Sequence, residues 1–363
     1  MSDNSEITII IPIHNRTLFL PQVLEYYSRS KNDLRPQIIV ADSSSDENFL
    51  KSAAVIGRYS DLDIRHLSIR GTGQTLYDKI ISALEHVKTD FCVCCADDDF
   101  VTVDGLGGAC EFLKNNPDFV VAHGAYISFH TRLSGPIDKF YWRPAYFNHS
   151  VTADDAGERL KDEFLNCKHT LYAVHRTNEL KYIFQEVRRV LDSNVKILLF
   201  GELLSTMLAA VRGKIMDMNV FYSARREDAY YQGQHIKWPL VREYVENGQF
   251  DHESMSFKKC LVENLIAVSS LGRDEATMLV DAGSESIKNG FSPDRFRHLV
   301  LNTSNFLKNK NAPGWIYSIF KKVYRTFVPE KRGGSAQDFL DTDLHEYNDD
   351  LKILREVVLH HIV

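Results

Sequence analysis

The sequence predicts an α/β fold. It reads as a Rossmann-like, mostly parallel sheet with helices on both faces, followed by a mainly helical C-terminal region. Three observations predict it. The runs Ile7–Ile13, Ile38–Ala41, Phe91–Ala96 and Phe119–Phe129 are rich in Ile, Val, Phe or Cys and bounded by polar residues, the pattern of strands buried on both faces. Helical patterns lie between them. After about Tyr222 the strand signals fade and helical ones continue.

Each element has its own signal. Leu20, Val23, Leu24 and Tyr27 share one side of a helix over Leu18–Ser28. In Gln74–Lys88, Leu76, Ile80, Leu84 and Val87 recur close to a 3.6-residue period. Gly105–Asn115 reads as a third helix, ended by Pro117. Ala153–Cys167, Glu179–Leu191 and Gly201–Val211 continue as helices, and Ile215–Tyr222 is the last strand. Residues from roughly 235 to 363 read as helices broken by Gly, Ser and Asn. Gly333–Gly334–Ser335 precedes a final helix around Leu344–Leu359. The organisation is therefore an α/β domain over 1–222 and a helical region over 223–363. Alternating strands and helices imply right-handed βαβ units, with ligands beyond the C-terminal strand ends.

Bulk composition narrows the function classes. The chain has 363 residues with 44% hydrophobic content, ample for a large core, and a net charge of −6. That charge gives no global attraction to nucleic acid or anionic lipid. The six cysteines (Cys92, Cys94, Cys95, Cys110, Cys167 and Cys260) form no CxxC pair and read as buried free thiols of a reducing compartment. Met1–Glu6 is polar and acidic, unlike a signal peptide. No apolar stretch reaches the ~20 residues needed to span a bilayer. The expectation is a cytoplasmic protein, with one candidate for peripheral membrane contact in 315–332. There Trp315, Ile316, Ile319, Phe320, Val323 and Phe327 share a face opposite Lys321, Lys322 and Arg325. The same pattern suits a helix packed on its own domain.

The sharpest chemical feature is Asp97–Asp98–Asp99, directly after the run Phe91–Ala96. Three adjacent carboxylates repel one another, and a hard cation such as Mn²⁺ or Mg²⁺ would neutralise them. An acidic loop leading into the next helix is the plain alternative, but a strand end in an α/β sheet is where ligands bind.

At this point the chain resembles family 2 glycosyltransferases. Ile9–Ile10–Ile11–Pro12–Ile13–His14–Asn15–Arg16 is similar to that family's opening strand and turn, commonly VSVVIPTYNR. Ile39–Val40–Ala41–Asp42–Ser43–Ser44–Ser45–Asp46 is similar to its second, commonly VVDDGSTD. The acidic triplet falls where the family carries its DxD signature. The ordered set covers about residues 6 to 220. It implies a GT-A-type fold, a nucleotide-sugar donor (UDP-linked in the commonest case), Mn²⁺ or Mg²⁺ as cofactor, and a glycan or lipid-linked acceptor, as in polysaccharide biosynthesis.

The resemblance implies roles by position. Pro12, His14, Asn15 and Arg16 line the nucleotide pocket, Asp42 reads the base, and Gln74 and Lys79 lie in the segment closing over the nucleotide. Asp97 and Asp98 reach the ribose, and Asp99 holds the metal, with Asp97 a further candidate ligand. Two departures stand out: Ala41 replaces the first Asp of DDG, and Ser43 replaces its Gly, which implies a turn of different shape.

An inverting transfer needs a carboxylate base. Counted back from Gly213, Glu202 falls on the family's base position, at the start of a helix whose dipole would keep it ionised. Arg225 and Arg226, after the last strand, could contact the leaving diphosphate, although a solvated charge run is the plainer reading. His235 is a candidate third metal ligand; the other histidines show no ligand spacing.

Rival classes fit less well. Gly71–Thr72–Gly73–Gln74 superficially resembles the phosphate loop of a nucleotidylyltransferase, yet that loop should follow the first strand. No GxGxxG follows the first strand either, which disfavours a dinucleotide-dependent dehydrogenase. A binding module of the same fold without the chemistry remains a third alternative.

Overall fold

The computed structural model describes residues 6–30, 33–70, 75–132, 139–146, 150–166, 170–190, 198–227, 251–288 and 348–361. Gln74, His235, the Gly71–Gly73 pair, Cys167 and the 315–332 segment lie outside them.

The strand β1 (Ile7–Ile13) is the centre of the first half of the sheet. It pairs in parallel with β2 (Gln37–Asp42) on one side and with β4 (Phe91–Cys94) on the other. β3 (Ile64–Ser68) adds in parallel to β2. Beyond β4 the sheet becomes mixed. Its order runs β3-β2-β1-β4-β8-β6-β9-β5, with β7 on β6. Here β5 is Phe100–Val101, β6 Phe119–Arg132, β7 Lys139–Tyr146, β8 Val174–Arg176 and β9 Lys214–Arg226. β6 and β9 are parallel to each other, whereas β8 runs antiparallel to both β4 and β6. Three of the four predicted apolar runs are β1, β2 and β4 of the parallel half, and the fourth, Phe119–Phe129, is β6 of the mixed half.

Alternation within those runs divides two cores, one on each face. Ile7, Ile9, Ile11 and Ile13 join Ile38, Val40, Phe91 and Val93 on one side. Ile10, Ile39, Ala41, Cys92 and Cys94 face the other. Period-2 geometry makes both sets apolar because both faces are covered. The first face carries α1 (Leu20–Arg29), α4 (Val103–Asn115) and a C-terminal helix, α10 (Asn348–His360). The second carries α3 (Leu76–Leu84), α5 (Ala156–Asn166), α6 (Thr177–Val190), α7 (Leu198–Arg212), α8 (Asp251–Val268) and α9 (Arg273–Lys288). Beyond β9 the described C-terminal elements are helices, and no described helix is long and apolar enough to cross a membrane. Cys92, Cys94, Cys95, Cys110 and Cys260 are free and buried.

Several elements had no usable sequence signal. α2 (Asp46–Ile56) buries only Ser52 fully, so it carries no continuous apolar stripe. β3 is an edge strand with no fully buried residue. β8 and β5 are too short for a period to show. β9 continues four residues past Tyr222, to Arg226, because β6 and β5 both pair with that extension.

Candidate functional site

The site forms where β1, β2 and β4 end. Two turns, after β1 and after β2, are joined by side chains. The Asn15 amide donates to Ser44 Oγ at 2.7 Å, and Asn15 Oδ1 accepts from the Ser45 amide at 2.9 Å and from Asn48 Nδ2 at 3.2 Å. His14 Nδ1 lies 3.0 Å from both the carbonyl and the hydroxyl of Ser43. Asn15 holds a left-handed backbone, φ 51°, alone among described non-glycine residues, and Asn tolerates it better than most. The special φ therefore sits in the first turn; Ser43, where the family has Gly, does not need it.

Asp42 is fully buried at the end of β2. The Ser44 amide donates to one of its oxygens at 2.8 Å, and His66 Nε2 lies 3.0 Å from the other. Burial alone would raise its pKa, but the His66 and Ser44 hydrogen bonds hold it below the usual aspartate value. His66 is itself stacked on Phe49, with centroids 4.1 Å apart.

Arg16 is the countercharge of the acidic cluster. Its Nε donates to Asp97 at 3.0 Å, its Nη2 pairs with the same carboxylate, and Nη2 also reaches Asp98 at 3.0 Å. Mutual repulsion in the triplet is therefore balanced within the chain at two of its three members, and the case for a cation falls on Asp99. Asp97 is nearly inaccessible, and burial raises its pKa against the lowering effect of Arg16. Lys79, also buried, donates from Nζ to the Ile13 carbonyl at 3.4 Å. Burial lowers its pKa, while Asp97 and Asp42 together oppose that, so these two strand ends act on one ammonium.

Asp99 faces the other way, toward β9. The Arg226 amide donates to its Oδ1 at 2.8 Å, and Tyr172 hydrogen-bonds the carboxyl. Burial and Asp98 push its pKa up to about 7. Such a group takes a cation readily, because metal binding removes the cost of its charge. Mg²⁺ or Mn²⁺ is commonly held by one or two carboxylates plus substrate phosphates, and Asp99 fits that pattern. Among the described residues, Asp97, Asp98 and Asp99 do not bring three ligand atoms within reach of one ion.

The two arginines of β9 have different surroundings, and neither is a solvated charge. Arg226 is built into the core: its guanidinium lies 4.8 Å from the Phe19 ring and 4.9 Å from the Phe129 ring and donates to Gln22 at 2.5 Å. Arg225 lies between Tyr126 and Tyr172, 4.6 and 4.4 Å from their centroids. Its buried Nε has no hydrogen-bond partner among the described residues. Its charge acts on both Asp99 and Glu202, which ties the acidic turn to α7.

Glu202 differs from expectation in one respect. α7 begins at Leu198, so Glu202 sits in the second turn, beyond most of the dipole's reach. Burial raises its pKa, with Arg225 opposing. A glutamate so raised is a better proton acceptor than an ordinary one. The neighbouring Gly201 leaves room for Tyr77: a Cβ there would lie 2.1 Å from the ring's Cζ. Tyr77 also hydrogen-bonds the Glu202 backbone. At the far end of α7, a Cβ on Gly213 would lie 2.4 Å from Val120 Cγ1, so the close passage of β6 requires glycine there.

His66, Tyr77, Tyr126 and Tyr172 were not legible as site residues. Each is defined by a partner far away in sequence.

Comparisons with known proteins agree with this geometry at the level of fold. A sequence model described as "Glycosyl transferase family 2" matches residues 8–168. The crystal structure of S. aureus TarS 1–349 in complex with UDP-GlcNAc is similar, with a TM-score of 0.50 and 13% identity; the match covers 97% of this chain and 92% of that one. For the longer crystal structure of S. aureus TarS the TM-score is 0.49 at 14% identity, covering 97% of this chain and 54% of that chain. The present chain thus spans about half the length of that relative. No curated protein matches the chain.

Proposed function

We propose that this chain, a sugar-transferring enzyme with a family 2 glycosyltransferase domain over residues 8–168, moves a sugar from a nucleoside-diphosphate donor to a glycan or lipid-linked acceptor with inversion. The observation that carries the reading is the placement of Arg225, held between two tyrosines with a buried Nε that has no partner among the described residues and its charge felt by both Asp99 and Glu202. A cation at one end, a base at the other and a spare guanidinium donor between them are what transfer from a diphosphate needs.

The donor's nucleotide lies over the β1 and β2 turns, bounded by Pro12, His14, Asn15, Arg16 and Asp42, with Lys79 beneath. Residues 1–222, extended by β9 through Arg226, supply this catalytic domain, and the region that follows covers part of the acceptor side. Mn²⁺ or Mg²⁺ held by Asp99 would supply the positive charge that neutralises the diphosphate. Arg225 donates to the leaving phosphate oxygens. Glu202 takes the acceptor hydroxyl's proton as its oxygen attacks the anomeric carbon. The UDP-GlcNAc seen in the TarS 1–349 crystal makes UDP-GlcNAc the first donor to try.

The test is donor turnover over a panel of UDP-sugars, with Mn²⁺ and with chelator, in the native chain, Asp99→Ala and Glu202→Gln. Glu202→Gln should bind donor normally and lose transfer by ~10²–10⁴-fold. Asp99→Ala should lose Mn²⁺-dependent UDP binding. Undiminished transfer in Glu202→Gln removes it as the base. Binding without turnover in the native chain, across all donors, favours an inactive module of the same fold. Release of pyrophosphate from a nucleoside triphosphate and a sugar phosphate favours a nucleotidylyltransferase.

A further inference from the structure

The last residues of α10 return to α1, near the other end of the chain. Glu25 of α1 meets the adjacent His360 and His361, at sequence separations of 335 and 336. One carboxylate oxygen, Oε2, faces both rings: 2.6 Å from His361 Nε2 and 3.3 Å from His360 Nδ1. The three prospective donor atoms all lie within 4.8 Å of one another. The other carboxylate oxygen is steadied by Arg29 at 3.4 Å.

We propose that Glu25, His360 and His361 form a Zn²⁺ site that clamps the C-terminal helix to α1, distinct from the Asp99 centre. Two imidazole nitrogens and one carboxylate oxygen are a donor set of Zn²⁺ type, unlike the all-oxygen set of the acidic turn. Ligands about 2.0–2.2 Å from a tetrahedral ion stand roughly 3.3–3.6 Å apart, and the observed spacings, 2.6 and 3.3 Å with all three atoms within 4.8 Å, bracket that range. His360 is mostly exposed, which leaves a fourth position for water and an entry path. The two histidines sit on successive residues yet aim different ring nitrogens at one point; it is this aim, from the end of a helix, that makes the neighbours convergent.

The clamp is added to a helix already seated. Leu354, Val357 and Val358 are buried against the first face, Asp350 accepts from the Tyr26 hydroxyl at 2.6 Å, and Arg29 pairs with Glu356 at 2.5 Å. Removing the histidines therefore leaves the fold intact. Because binding needs both imidazoles deprotonated, it competes with protons.

Isothermal titration of the chelator-stripped full chain with ZnCl₂ tests this, alongside His360→Ala/His361→Ala and Glu25→Gln. The native chain should take up one Zn²⁺ that both variants bind at least ten-fold more weakly. Hydrogen exchange in 348–361 should slow on Zn²⁺ addition in the native chain only. Unchanged Zn²⁺ affinity in the double variant, or no uptake by the native chain, overturns the site. Zn²⁺ uptake that fails in Asp99→Ala but survives in the double variant assigns the metal to the acidic turn instead.

Discussion

Gly201→Ala tests whether the position of Glu202 matters more than its presence. The added Cβ would stand 2.1 Å from Tyr77 Cζ, 2.2 Å from Oη and 2.5 Å from Cε2. Carbon atoms in contact rest about 3.5 Å apart, so ring and helix must separate by about 1.4 Å. Tyr77 cannot easily provide that. It is buried, its ring packs near Phe184 at 6.1 Å between centroids, and it hydrogen-bonds the Glu202 backbone. α7 must therefore give, carrying Glu202 with it. Overpacking of this kind costs typically ~1–3 kcal/mol, and a misplacement of about 1 Å at a reacting centre can cost ~10²-fold in rate. The expected result is a kcat about a hundred-fold down, a Tm lowered by a few degrees, and donor affinity near that of the native chain, since the β1 and β2 turns are untouched. Steady-state transfer kinetics, calorimetric melting and donor titration measure the three. Native kcat in a folded Gly201→Ala protein would refute the reasoning. A second variant, Gly201→Ala/Tyr77→Leu, removes the obstructing ring and should recover Tm, which separates steric displacement from loss of helix quality.

Three further outcomes are expected. Arg225→Met removes the charge that opposes the burial-raised pKa of Glu202, so the acid limb of kcat/KM should move to higher pH; an unmoved limb would detach Arg225 from Glu202. His175 is buried in β8, with its Nε2 2.8 Å from the Thr170 carbonyl, and burial lowers its pKa to about 4. Its folded pKa lies below the unfolded value near 6.5, so its stabilising contribution is complete above pH 6.5 and falls away as pH drops toward about 4, by roughly 3 kcal/mol at most. His175→Gln should flatten the denaturation free energy across that window, and equal slopes in both proteins would exclude His175 as a cause. Tyr26→Phe leaves the buried Asp350 carboxylate without its 2.6 Å donor and should cost about 1–3 kcal/mol, read from urea unfolding; a change below about 0.5 kcal/mol, the scatter of surface substitutions, would mean that Asp350 is solvated.

The sequence by itself determined β1, β2 and β4 of the parallel half and the helices α1, α3 and α4, but not β3 or α2. Continuous apolar runs such as Ile7–Ile13 record burial on both faces directly, and a helical stripe such as Leu76–Ile80–Leu84 records one buried side. It also marked the strand ends where Asp42 and Asp97–Asp99 fall, because each motif directly follows an apolar run and parallel strands bring their C-terminal ends to one edge of the sheet. Tertiary structure alone decided the rest. β8 and β5 exist because neighbouring strands pair with them, and too few residues are involved for any period to register. Arg16 as the partner of Asp97 and Asp98, His66 on Asp42, and the two tyrosines around Arg225 join positions up to 99 residues apart. No local pattern encodes such pairings. The same holds for charge state: the sequence put Glu202 at a helix start and inferred ionisation, whereas the structure sets it a turn later, half-buried, where desolvation raises its pKa. Desolvation depends on everything packed around a group, which only the folded chain brings together.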